Sequence, residues 1–524
     1  MKHSVGILAL IAIVAVSCGR LDDDDPEDRS LGEDLSHEMI VLGRQLDNPY
    51  SVKNMTRAIQ SLYPTKADQS LGATDMYVRF LPETDAQMTE LAATGLILMD
   101  HPLDYQIVKD GDWYHDPLVD DDKITWQYAV VPSSFKLPSG VRCEILEECY
   151  IPEGVMAKGS EGLDWEAIER EAFRITGNED LLMPRTKGSP AAYPKGQITI
   201  IDPDANGGKP FGVAGVTVLC NTFVKFASAV TDRDGYYEMK TKFSSDVRYR
   251  LMFSNSKGFS IGLNLLLMPA STSALGKTSP EGIDCTISSS SDRKLFCRAA
   301  VNNAAYEYYE RCSRDDLDIA PPSSDIRIWL FQNLSDSSTP MLRHGTLLDR
   351  GILGRFLGEY SSLLSLFLPD ITVGLKNASS YSDIYAMTVH ELSHASHFAQ
   401  VGKTYWDKYI EYVITSFITE WGAAYGSASD EDSGYCGVGE IWAYFMQNLL
   451  WHDRYGGEMP VFGMNCWFHP QILRYLNERG LSVSQIFKAF RPEVTDTALL
   501  ESRLVSLYPS QSSMINQVFT RYAE

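Results

Sequence analysis

The sequence predicts a multidomain α+β protein. A small N-terminal α/β domain is expected over residues 36–190, a β-sandwich over 195–267, a linker over 268–290 and a mostly helical domain over 291–524. Three observations carry that expectation. The chain has 524 residues, more than one hydrophobic core ordinarily serves. Its texture changes at Gly196, from mixed helical and strand periods to short alternating runs. Beyond residue 291, apolar residues at three- and four-residue spacing take over. A content of 44% hydrophobic and 11% aromatic residues supplies packed interiors and excludes a disordered or collagen-like chain. The formal charge of −23 excludes nucleic acid as a partner, because a phosphate-binding surface needs a basic excess.

Residues 1–18, "MKHSVGILALIAIVAVSC", open with a short basic segment followed by an apolar stretch over 5–16. That stretch is too short to span a bilayer and has the build of an export signal. Ala15 and Ser17 before Cys18 resemble a bacterial lipobox, although Ala15 stands where Leu is usual. The resemblance implies cleavage before Cys18 and lipidation of its thiol. Residues 19–35 are acidic and lack aromatics, as a solvated tether does. An acidic run after the lipid cysteine is similar to the surface-export tag of Bacteroidota lipoproteins, which implies an outer-membrane lipoprotein exposed at the cell surface.

In the 36–190 region "MTRAIQSLY" and "TDAQMTELAATGLILM" read as helices, while "DMYVRFL" and "TWQYAVV" read as strands. His115, with no His or Cys near it, reads as a loop residue. From Gly196 onward "GQITIID", "VAGVTVLC", "ASAVTDRDGYYEMK" and "RYRLMFS" are short alternating runs between turns, the pattern of a sandwich. Gly215-Val216 and the run Thr231–Tyr237 resemble the carboxypeptidase regulatory-like family, in which such a turn joins two strands. Asp232 and Asp234 offer too few oxygens for Ca²⁺, and a tight hairpin with Gly235 at positive φ is expected instead. Residues 268–282 read as a Ser/Thr/Gly/Pro linker. Eight cysteines besides Cys18 form no CxxC pair. Export permits disulfides, with Cys285–Cys297 and Cys436–Cys466 as candidates, and simple buried thiols as the alternative.

In the last region "CRAAVNNAAYEYYERC" reads as a helix, and "DIRIWLF" and "PDITVGL" as strands. Then comes "TVHELSHASHFAQ", 388–400. On a helix capped by Ser380 or Ser382, His390 and His394 lie one turn apart on the same face and can present two nitrogens to one metal ion. Glu391 beside them can reach a water without binding the metal. Zinc lowers the pKa of such a water toward about 7, and the carboxylate can then take its proton. A strand followed by this helix resembles the zincin metallopeptidases, where the strand is the substrate-binding edge. His397 stands where the metzincin pattern needs glycine, so it is expected beside the site or facing solvent.

A third ligand is needed. Glu420 in "FITEWGAAYG" and Glu440 in "GVGEIWAYFMQNLLW" are the candidates. Glu440 follows a glycine-rich approach and is expected to open a helix. Gly437-x-Gly439-Glu440-x-Trp442 with Phe445 resembles the third-ligand segment of fungalysin-type gluzincins, which favours Glu440. Ala443-Tyr444 replaces that family's Ser-Asp, which leaves open which group orients His390. His469, Tyr425, Tyr435 and Tyr444 are candidate hydrogen-bond donors to a transition state. His452 reads as a helix-end residue, and residues 469–490 as a pair of helices.

These resemblances imply an exported, lipid-anchored zinc metalloendopeptidase of gluzincin type, similar to zinc-dependent metallopeptidase lipoproteins of Bacteroidota. Its substrates would be proteins, peptides or glycoproteins. The rival is a surface glycan- or protein-binding lipoprotein whose zincin-like lobe is inactive or structural. The anchor is testable alone. Cys18→Ala is expected to move the protein from the membrane to the soluble fraction, because the several acyl chains of a lipoprotein hold firmly whereas one binds marginally. Membrane association that survives the substitution would defeat the anchor assignment.

Overall fold

The structure is a computed structural model that describes residues 39–66, 71–120, 123–152, 162–182, 191–262, 272–314, 316–332, 336–345, 369–419 and 425–522. The export signal with Cys18, the acidic tether and Glu420 lie outside the described residues.

The N-terminal unit holds β1 (Val41–Gln45), α1 (Val52–Leu62), β2 (Asp75–Leu81), α2 (Asp85–Ala93), β3 (Tyr105–Lys109), β4 (Gln127–Pro132), β5 (Arg142–Cys149) and α3 (Trp165–Ile175). Its main sheet runs β4-β2-β5, and both pairings are antiparallel. Helix α2 is shorter than the pattern over 84–99 predicts. Residues past Ala93 leave the helix because the Met99 backbone exchanges two hydrogen bonds with Tyr128 at the edge of β4, at 2.8 and 2.6 Å.

The chain continues through β6 (Lys195–Ile200), β7 (Phe211–Gly212), β8 (Thr217–Thr222), β9 (Lys225–Val230), β10 (Tyr236–Glu238), β11 (Val247–Met252), β12 (Ser260–Gly262), β13 (Thr272–Thr278) and β14 (Cys285–Ile287), and all of these but β12 form two sheets. One runs β10-β6-β14 with β7 beside β6, and the other runs β13-β11-β8-β9. Alternate residues such as Ile198, Val218, Tyr249 and Leu251 share one core, as strand periodicity requires. The turn at 231–236 is tight. Asp232 Oδ1 accepts the backbone N–H groups of Asp234 and Tyr236, both at 2.9 Å. Gly235 has φ 83°, and a Cβ there would stand 2.0 Å from the Ile198 carbonyl oxygen. The strands it joins are not a paired hairpin, however, since β9 pairs with β8 and β10 with β6.

The expected linker is a second correction. Thr272–Thr278 pairs antiparallel with β11, and Cys285–Ile287 pairs parallel with β6. Strand β12, expected inside the sandwich, instead pairs parallel with β15 (Arg327–Phe331), after helix α4 (Arg293–Cys312). With β16 (Ile371–Gly374) these form the parallel sheet β12-β15-β16. Then come α5 (Tyr381–Val401), α6 (Lys403–Thr419), α7 (Ser433–Tyr455), α8 (Gln471–Glu478), α9 (Val483–Phe487), α10 (Thr497–Leu507) and α11 (Ser512–Thr520). Helices α8 and α9 are the expected pair over 469–490.

One core cluster runs from the sandwich sheets through α4 into the C-terminal helices. The eight described cysteines are free thiols, so neither candidate disulfide forms. Cys297 and Cys436 are fully buried and pack as small apolar side chains. Among the described residues no helix is long and apolar enough to cross a membrane.

Arg454, in the last turn of α7, ties sandwich to helices. It donates to Glu307 of α4 at 2.6 Å and to the fully buried Asp202, just past β6, at 3.1 Å. The Tyr381 and Tyr385 rings lie 5.0 Å from its guanidinium carbon. Removing one partner of a buried charge pair leaves the other uncompensated, at a cost of about 3–5 kcal/mol. Arg454→Ala is therefore expected to lower stability by about that amount, read from chemical denaturation; a loss under about 0.5 kcal/mol, the scale of ordinary surface changes, would contradict the assignment.

Candidate metal centre

Helix α5 starts where Ser380 caps it. The Ser380 Oγ accepts the Asp383 N–H at 3.1 Å and Asp383 Oδ2 accepts the Ser380 N–H at 3.0 Å, a reciprocal box that fixes the first turn. From Thr388 to Phe398 every residue of this helix is buried. It packs against α4, where Tyr308 donates to Ser396 Oγ at 3.0 Å, and against α7, where the Trp442 indole donates to the Ser393 carbonyl at 3.1 Å.

The two helices bring three candidate ligands together. His390 Nε2 and His394 Nε2 are 3.2 Å apart. Glu440 Oε2 lies 3.4 Å from His390 Nε2, and Glu440 Oε1 lies 3.4 Å from His394 Nε2. Among the described residues these form the one group of His, Cys, Asp or Glu side chains whose ligand atoms all lie within 4.8 Å of one another. A tetrahedral ion with bonds of about 2.0–2.1 Å sets its ligands roughly 3.3 Å apart. The three separations fit that requirement, and two imidazoles with a carboxylate are a donor set that zinc accepts.

Neighbours fix two of the three candidate ligands. The Gln447 Oε1 lies 3.1 Å from His390 Nδ1. An amide oxygen only accepts, so Nδ1 carries the proton and Nε2 turns its lone pair to the group. Gln447 thus fills the orienting role left open by Ala443-Tyr444. Tyr409 of α6 donates to Glu440 Oε1 at 2.6 Å. Helix α7 begins at Ser433 rather than at Glu440, so the glycines lie inside it. They admit rings: a Cβ at Gly439 would stand 3.2 Å from the Tyr409 ring, and one at Gly437 2.8 Å from Trp467.

Glu391 is buried and faces another segment. Its Oε2 accepts the Thr339 hydroxyl at 2.7 Å, a hydrogen shared with the Glu391 carbonyl at 2.9 Å. The Trp406 indole in turn donates to the Thr339 carbonyl at 3.1 Å. Strand β16, "ITVG", ends its sheet as expected of an edge strand. Ser338 meets it there in an isolated antiparallel bridge, exchanging backbone hydrogen bonds with Thr372 at 2.9 and 2.8 Å. This bridge sets Thr339 beside Glu391.

Electrostatics separate the roles. Burial opposes ionisation of Glu440, yet His394 and His390 together hold its carboxyl well below the usual range. Burial pushes the Glu391 carboxyl up to about 7, with His390 and Thr339 pulling the other way. Burial also lowers His394.

The remaining candidates divide. The Tyr444 ring lies 4.4 Å from that of His390, and its hydroxyl is 3.0 Å from that of Tyr425, so Tyr444 stands at the group and Tyr425 behind it. Tyr435 packs on Tyr405 at 4.8 Å, and His469 on Tyr522 at 5.2 Å. His397 does not face solvent. It is fully buried between Tyr405, Trp406 and Phe490, and burial pushes its imidazole down to about 3. His452 sits in the last turn of α7. His115 is a loop residue whose Nε2 lies 3.1 Å from the Lys123 carbonyl.

No family model, curated protein or solved structure matches this chain. Geometry alone therefore carries the functional assignment. Sequence reasoning missed Thr339, Trp406, Tyr409 and Gln447. Gln447 could have been found, since it follows Glu440 by two helical turns and shares its face. Losing a partner that orients a metal ligand costs about 10–100-fold in affinity. Gln447→Leu is expected to weaken zinc binding by about that factor in competition with a chromophoric chelator. Wild-type affinity would remove Gln447 from this role.

Proposed function

We propose that this protein is an exported zinc metallopeptidase of gluzincin type that hydrolyses peptide bonds of protein, peptide or glycoprotein substrates, held at the outer membrane, facing the cell surface, by lipid on Cys18. The observation that carries the proposal is the buried His390–His394–Glu440 group with the Glu391 carboxylate adjoining it on the same helix.

His390, His394 and Glu440 would hold the ion. When bound, zinc supplies Lewis-acid activation of water and of a carbonyl. Glu391 is the general base. Burial tunes its carboxyl toward neutrality, where a group can both take a proton and return it to a leaving amine. Thr339 holds one of its oxygens in place, and so directs which oxygen faces the substrate. Tyr444, whose ring lies 4.4 Å from that of His390 and whose hydroxyl meets that of Tyr425, is the candidate donor to a developing oxyanion.

The rival, a binding lipoprotein with an inactive lobe, fits the burial less well. Keeping Glu391 buried beside two imidazoles and a second carboxylate costs stability unless the cluster is used.

Glu391→Gln separates metal binding from chemistry. It keeps the shape and the three ligands but cannot accept a proton. Zinc content is expected to stay at the wild-type level while peptide hydrolysis falls by at least about 10²–10⁴-fold. His394→Ala and Glu440→Ala are expected to lose both zinc and activity, and Glu420→Ala to lose neither. A Glu391→Gln protein as active as wild type on every substrate would overturn the mechanism. A wild type that binds no zinc would overturn the whole proposal.

A further inference from the structure

We infer a second site, for an organic cation, in a cleft of the N-terminal unit. The cleft measures about 680 Å³ and lies between β1, the chain around residues 102–105 and 114–118, and the β4-β2-β5 sheet. Its size falls among clefts that hold drug-sized molecules, about 300–1,000 Å³. None of its walls belongs to the metal group, so it stands or falls apart from the peptidase proposal.

The walls are charged and uncompensated. Asp47, Asp104, Asp116 and Glu147 line the cleft, with Arg79 as the one basic residue. That arginine is already engaged. It grips Glu144 at 2.6 and 2.9 Å and lies 4.0 Å over the Trp126 ring. Among the described residues none of the four carboxylates has a cation within ion-pair distance; nearby Lys123 pairs with Asp120 instead.

Neutral groups hold the carboxylates in place. Asn54 donates to Asp47 at 2.8 Å, Asn48 to Glu147 at 2.8 Å, and Gln45 to Asp104 at 2.7 Å. The backbone N–H of Leu118 donates to Asp116 at 2.9 Å. Such donors orient a carboxylate without cancelling its charge. Burial first, then Asp104 and Asp47, raise the Glu147 carboxyl above its ordinary value, and Lys53 counters least. An arriving cation relieves that repulsion.

The shape excludes a bare metal ion. The four acids do not converge, since the one group of ligand atoms within 4.8 Å among the described residues is elsewhere. A larger cation that touches several walls is required. Tyr77, Tyr105, Tyr114 and Tyr128 also line the cleft, and aromatic rings attract ammonium and guanidinium groups. At the rim Leu118 is 93% exposed and Leu146 40% exposed, apolar footing for the methylene stem of a lysine or arginine. The chemistry is that of an alkylammonium or guanidinium group, carried on a basic peptide or on a free polyamine.

Calorimetry on the whole exported chain tests this, with penta-arginine amide, spermine and penta-glutamate as probes at low and high salt. A basic probe is expected to bind, more weakly as salt rises. Combined Asp47→Asn and Glu147→Gln is expected to weaken it roughly tenfold or more by removing two attracting charges. Leu118→Lys places a cation on an exposed rim residue, disturbs no buried group, and is expected to weaken it as well. Circular dichroism and the thermal melting temperature check that each variant is folded. Binding of penta-arginine alone identifies a polypeptide source, and binding of spermine alone a free polyamine. The inference is overturned if neither basic probe binds, if penta-glutamate binds as well, or if the folded variants bind as wild type does.

Discussion

Everything around the metal group follows from one constraint: an ionised Glu440 is buried where α5 and α7 cross. A carboxylate without water survives there only if its charge is answered: Tyr409 donates to one oxygen, and an ion held with the imidazoles would answer the rest. His390 faces one oxygen, and His394 and Tyr409 the other. The ring of Tyr409, which reaches Glu440 from α6, needs room on α7, and Gly439 gives it: a Cβ there would stand 3.2 Å from that ring, as one at Gly437 would stand 2.8 Å from the Trp467 ring. The glycines and the ligands are thus one requirement seen from two sides. They weaken the helix by roughly 0.5–1 kcal/mol each relative to alanine, a cost accepted for close approach.

The upstream regions act as the wall against which α5 is held. Helix α4 lies between the sandwich and α5, and its buried face joins both to one core. Arg454 closes the far end, where Asp202 of the sandwich, Glu307 of α4 and the end of α7 meet. A rigid frame of this kind suits a group whose donors must stay within a few tenths of an ångström of their places.

Local chemistry was legible in the sequence and remote chemistry was not. His390 and His394 sit four residues apart, so helical geometry alone pairs them, and the Ser380 cap is equally local. Glu440 was readable because the glycines that admit the neighbouring rings adjoin it. Thr339, by contrast, reaches Glu391 across 52 residues and Tyr409 reaches Glu440 across 31, and no local pattern marks either. The strand Thr272–Thr278 looked like a linker for a different reason. It lies at the end of its sheet with its last five residues partly or fully exposed, where polar Ser, Thr and Gly are tolerated and alternation fades. Strand β12 was misplaced because parallel pairing with β15 joins segments 67 residues apart in register, Ser260 with Arg327; such crossovers leave no mark in either strand alone.

Preorganisation connects the frame to the chemistry. In an unfolded chain the three ligands would be scattered over some fifty residues, and an ion would have to gather them against chain entropy. In the fold Gln447 and Tyr409 already aim two of the ligands, so binding has less left to order. Any affinity of the group for an ion would for this reason be linked to the packing of α5 on α7, since an ion that binds only the folded chain stabilises it by mass action. Glu391 shares α5 with His390 and His394, but its carboxylate is held by Thr339, whose carbonyl accepts from Trp406, on segments that supply none of the three group residues. The fold thus sets the residues that could hold an ion and the carboxylate proposed to move a proton on one helix, each with partners of its own.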